Sequence, residues 1–93
     1  MRVLGYIDNT PYKVTVFEMN QKFTVKFETG LYELAFKLRQ GDNMKNIDDV
    51  KKFVDIDLVS SVRNRFHDMH KAALKAFAKL SKPIVEEEFD EII

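Results

Sequence analysis

Residues 22–28 read Lys22-Phe23-Thr24-Val25-Lys26-Phe27-Glu28. Three apolar residues alternate with four polar ones, the period of a half-buried strand whose two faces differ in kind. The alternation continues in both directions. Upstream, Tyr12-Lys13-Val14-Thr15-Val16-Phe17 puts Tyr12, Val14 and Val16 on one face. Downstream, Tyr32, Leu34, Phe36 and Leu38 alternate with Glu33, Ala35, Lys37 and Arg39. Residues 3–7 make a fourth, shorter strand candidate, followed by the turn-forming run Asp8-Asn9-Thr10-Pro11.

Turn geometry tests whether these strands belong to one sheet. A two-residue loop at Asn20-Gln21 sets Val16 opposite Val25, Val14 opposite Phe27 and Lys13 opposite Glu28. A second two-residue loop at Thr29-Gly30 sets Phe27 opposite Tyr32, Val25 opposite Leu34, Phe23 opposite Phe36 and Lys26 opposite Glu33. One register thus gathers the apolar residues of three strands on one face and makes two opposite-charge pairs on the other. It leaves Lys22 opposite Lys37 and Glu18 beside Phe23. Residues 31–39 also fit a helix, because Leu31, Leu34, Ala35 and Leu38 have helical spacing and Gly41 suits a C-terminal cap. Register selects the strand.

From residue 46 the period changes to 3.6. Asn46 caps a short helix with Asp48 and Asp49 in its first turn and Ile47, Val50, Phe53 and Val54 on one side. Asp55-Ile56-Asp57 starts a second helix over residues 57–80, about 36 Å long. One stripe of it carries Val59, Val62, Phe66, Met69, Ala73, Ala76, Phe77 and Leu80. The expected fold is α+β: an antiparallel three- to four-stranded β-meander, then a short helix, then one long amphipathic helix packed on one sheet face. The alternative, with 31–39 helical, is a β-hairpin plus three helices. Residues 1–83 form a single domain in this reading, and 84–93 an acidic-hydrophobic C-terminal segment.

Composition narrows the function classes. The chain has 93 residues, 45% of them hydrophobic and 32% charged, which is too apolar for disorder and too charged for a membrane span. At this length a fold buries only about 60–65% of its unfolded surface, so large apolar residues left outside the core require a reason. There are no cysteines, which removes disulfides, thiolate metal sites and cysteine nucleophiles. With no signal-peptide pattern at the N-terminus, a cytoplasmic setting is expected and no membrane partner. Fifteen basic residues balance fifteen acidic ones, but unevenly. Residues 84–93 carry five acids and no base, which leaves the body at +5.

Catalytic signals are weak. His67 and His70 are helical neighbours, but Asp68 lies about 100° or more away from them around the helix, so no metal site is expected. Ser60, Ser61 and Ser81 suit helix caps rather than nucleophiles. With three glycines and no glycine-rich loop there is no phosphate cradle. The chain reads as a non-enzyme with no cofactor.

Two surfaces remain. With a four-residue loop between the first two strands, Leu4, Tyr6, Phe17 and Met19 share the outer sheet face with Ala35, an apolar set that a solvated face rarely carries. The C-terminal segment, a second copy or another protein would cover it, and self-association is preferred. The function read from this is protein–protein association by a small adaptor or regulatory module, possible as a homodimer. Leu4, Tyr6, Phe17 and Met19 give the contact, and Phe89, Ile92 and Ile93 form a detachable acidic–apolar peptide or a third helix closing the core. The alternative is single-stranded nucleic-acid binding by Lys13, Lys26, Lys37 and Arg39, masked by the acidic segment. The sheet-then-helix layout is that of several single-strand binders, the PUR repeats among them.

Overall fold

The computed structural model describes residues 1–8 and 10–80. Four strands, β1 (Arg2–Ile7), β2 (Lys13–Met19), β3 (Lys22–Glu28) and β4 (Glu33–Arg39), form an antiparallel meander in the order β1-β2-β3-β4. Two helices follow, α1 (Ile47–Phe53) and α2 (Ile56–Leu80). Residues 31–39 are therefore not a helix. Cross-strand burial overrides the helical propensity of that stretch.

The β2–β3 register is the expected one, with Val14 opposite Phe27, Val16 opposite Val25 and Lys13 opposite Glu28. Asn20 and Gln21 both take left-handed backbone, φ 53° and 60°, the mirror-image turn whose twist matches that of the flanking strands. The β3–β4 register differs from expectation by two residues: Phe27 faces Leu34, Val25 faces Phe36 and Phe23 faces Leu38. Thr29 to Tyr32 form a longer connection, closed by the Thr29 N–H donating to the Tyr32 carbonyl at 3.0 Å. An even shift keeps every side chain on its expected face. It replaces the Lys26–Glu33 pair with Lys26 opposite Ala35 and sets Glu28 opposite Glu33. Lys26 instead reaches along its own strand to Glu28, at 3.9 Å.

The chain divides into two compact units, Met1–Arg63 and a second beginning at Asn64, with the boundary inside α2. In the first unit the inner face of the sheet is the core. Val14, Val16, Phe23, Val25 and Phe27 are buried, joined by Ile7, Val50, Val54, Val59 and Val62. Each of the larger side chains stabilises the fold by roughly 1.5–3 kcal/mol. Phe36 stands edge-on to Phe27 at 6.0 Å and to Phe53 of α1 at 5.7 Å, so an aromatic chain ties the short helix to the sheet. Asn46 caps α1 by accepting from the Asp49 N–H at 3.1 Å, and the Asp49 carboxylate accepts from the Lys45 N–H at 2.7 Å. Asp55 caps α2 by accepting from the Leu58 N–H at 2.8 Å.

In the second unit the expected apolar stripe does not stay covered. Phe77 and Leu80 are 49% and 76% exposed.

Left-handed backbone costs a non-glycine residue roughly 1–2 kcal/mol, and glycine returns about 0.5–1 kcal/mol of that through unfolded-state entropy. Gln21→Gly should therefore stabilise the protein by up to about 1 kcal/mol, a rise in Tm of about 4–8 °C in a thermal melt. An unchanged or lower Tm would mean that the glutamine side chain contributes to the turn.

Candidate functional site

Pairing places the outer-face residues in rows. Tyr6, Thr15, Lys26 and Ala35 form one; Val3, Phe17, Thr24 and Lys37 form the next; Met19, Lys22 and Arg39 form a third. Tyr6, Phe17 and Met19 thus come together as the sequence pattern predicts. Leu4 does not join them. The β1–β2 register slips between Val3 and Gly5, so Leu4 sits at a bulge and lines a cavity of about 290 Å³ on the helix side with Phe23 and Ile47. Val3, 49% exposed, takes the outer position instead. Alternation read straight through β1 misses this, because a bulge inverts the faces of the residues before it. Its one signal is Gly5, where an added Cβ would come within 2.9 Å of Ile47 Cδ1.

The face has two halves. On β1 and β2, Val3, Tyr6 and Met19 are roughly half exposed, and Phe17 is partly covered. On β3 and β4 lie Lys22, Lys26, Lys37 and Arg39, and Lys13 stands at the end of β2. Those five cations face two acids, Glu28 and Glu33, so the face carries a net +3. Lys22 belongs to this set by the same period-two logic as Lys26. Where the halves meet, the Lys26 ammonium stands 5.4 Å from the centroid of the Phe17 ring. That cation–π contact holds ring and charge together. Thr15 is buried between the Tyr6 and Lys26 positions.

The inner cavity is chemically quieter. Glu18, at its edge, accepts from the Arg2 guanidinium and from Gln40 Nε2 at 2.7 Å. These bonds, Arg2 first, hold its carboxyl below the ordinary glutamate range. They also explain how Glu18 sits beside Phe23: the carboxylate is turned to the sheet's end, joining β1 and β2 to the residue after β4.

On α2, His67 and His70 are exposed, and Asp68 pairs with Arg65 at 3.6 Å. Among the described residues no three potential ligands stand together, and no helix is long and apolar enough to cross a membrane. Ser60 and Ser61 are exposed within α2, and the cap is Asp55. Phe89, Ile92 and Ile93 lie outside the described residues, as does Ser81.

Two outcomes follow from this arrangement. Phe27→Ala should cost about 3–5 kcal/mol in urea denaturation, but Phe17→Ala only about 1 kcal/mol, the worth of a partly exposed cation–π pair with some packing. Equal losses would make the outer face part of the core. Because the Glu18 carboxyl is lowered in the fold, its stabilisation is fully present above the unfolded value of about 4.3 and is lost as pH falls through the lowered folded value. Glu18→Gln should remove that component from an acid-unfolding curve while leaving the curve flat near neutrality. Compared with known proteins, the chain matches no family model, no curated protein and no solved structure.

Proposed function

We propose that the chain is a non-enzymatic protein-association module, an adaptor or regulator that presents its outer sheet face to a partner. The observation carrying this reading is the division of that face: exposed Val3, Tyr6 and Met19 with the partly covered Phe17, beside the cations Lys22, Lys26, Lys37 and Arg39. Covering the apolar half gains roughly 25 cal/mol per Å². The cationic half then selects what covers it, favouring side chains set beside carboxylates. A homodimer is the less favoured form. Two-fold pairing across the whole face would set five cations and two acids against the same set, so a second copy fits only a contact confined to β1 and β2. A cytoplasmic setting accompanies the reading, in keeping with a chain that contains no cysteine.

A second reading is single-stranded nucleic-acid binding, favoured by one observation: the net +3 face also carries two rings, Tyr6 and Phe17, on which bases could stack. Lys13, Lys26, Lys37 and Arg39 would follow the backbone.

A photoreactive phenylalanine analogue at position 17, irradiated in cells, separates the two. Protein adducts that disappear with Lys26→Glu are expected; adducts to RNA or DNA would replace the first reading with the second. A homopolymer titration gives the same decision in vitro. If all five cations engage phosphates, log affinity should fall against log salt with a slope of about −3.5. No binding at any salt leaves the protein-association reading standing.

A further inference from the structure

The outer rows of the sheet stack into two columns that run along the strands. Val3, Tyr6, Phe17 and Met19 make one, on β1 and β2. Lys22, Lys26, Lys37 and Arg39 make the other, on β3 and β4. No acid stands in those three rows. The next row, Lys13, Glu28 and Glu33, holds both acids of the face and closes the cationic column at that end. Successive rows are about 7 Å apart and neighbouring strands about 4.8 Å, so each column is roughly 14 Å long and their midlines lie about 10 Å apart.

These dimensions discriminate among occupants. A partner strand turns alternate residues to one side and so offers a single column of one kind; meeting both columns would take two strands of opposite character. A second copy brings cations against cations unless the contact shrinks to β1 and β2. An α-helix with its side chains is about 10–12 Å across, and nine or ten of its residues reach about 14 Å. Residues at steps of three and four make a stripe along it, and two neighbouring stripes can face one surface together. A helix with one apolar and one acidic stripe complements this face in width, length and charge.

We propose that the outer sheet face receives an acidic amphipathic helix of another protein, lying along the strands with its apolar stripe over Tyr6, Phe17 and Met19 and its carboxylates over Lys26, Lys37 and Arg39. This rests on the protein-association reading and gives the partner its form. Lys26 is held where the two columns meet, 5.4 Å from the centroid of the Phe17 ring. Lys37 and Arg39 are exposed on β4 and form no ion pair among the described residues, so their charges are open to carboxylates. A helix this short has little stability alone, so it gains much of its order from the contact.

Two synthetic peptides with the same leucines and glutamates test it against the purified full chain. In one, held helical by a staple on its far side, leucines recur at steps of three and four with glutamates in the adjacent stripe. In the other, leucine and glutamate alternate. The helical peptide should bind at least about tenfold more tightly. In NMR spectra the amides of Tyr6, Phe17, Met19 and Lys37 should shift while those of Val50 and Val54 stay in place. Lys37→Glu, at an exposed position, should leave Tm unchanged and weaken the binding at least about threefold. Equal or tighter binding of the alternating peptide overturns the proposal, as does binding of neither, or binding that Lys37→Glu leaves unchanged. In those three cases protein adducts at position 17 would still uphold the protein-association reading. A single-stranded dT homopolymer that displaces the helical peptide and binds more tightly overturns both.

Discussion

The two-residue reversal at Asn20 and Gln21 is the constraint on which the remaining structure depends. It fixes β2 against β3 so that Val14, Val16, Phe23, Val25 and Phe27 fall on one side. A slip of one residue would carry that set into water and bring lysines and threonines into the core. Positive φ at both central positions marks the two-residue turn that sets this pairing. The inner face then recruits α1 through Phe36 and Phe53, and whatever does not fit that face is left outside.

What is left outside forms the surface on which the proposed association rests. Phe17 is outward because its neighbours Val16 and Glu18 are inward, and Lys26 is outward for the same reason. Their contact therefore follows from the register and does not depend on a special local sequence. An antiparallel sheet covered on one side leaves its other side open, and here that side carries both oily and cationic groups. Their adjacency is the feature that the proposed association draws on.

Much of this was legible in the amino-acid sequence, for identifiable reasons. Period-two alternation in residues 12–17, 22–28 and 32–39 specified faces, and faces survive any even error in loop length. That is why Tyr6, Phe17, Met19, Lys26 and Lys37 were placed correctly although the β3–β4 connection is two residues longer than the tightest loop. Partner identity does not survive such an error, so the Lys26–Glu33 pair was illegible: Thr29 to Tyr32 carry no unique turn signal. Leu4 was illegible for a different reason. A bulge is a backbone event, and here it adjoins Gly5, which lies against Ile47, a residue far away in sequence. On α2, periodicity reported that one side is apolar but not how far along the helix that side is covered, which depends on partners rather than on the helix itself.

The irregularity at Leu4 has a bearing on solubility. β1 is an outer strand, and a straight run of Val3, Leu4, Tyr6 and Ile7 with free amides along one margin would be a template for stacking chain upon chain. An extra residue in that strand breaks the spacing of its amides and carbonyls, so an incoming strand cannot match it over more than a few residues. The opposite margin, β4, achieves the same end by charge, with Glu33, Lys37 and Arg39 exposed along it. The two borders of the sheet are thus guarded against fibril growth by different means, one geometric and one electrostatic.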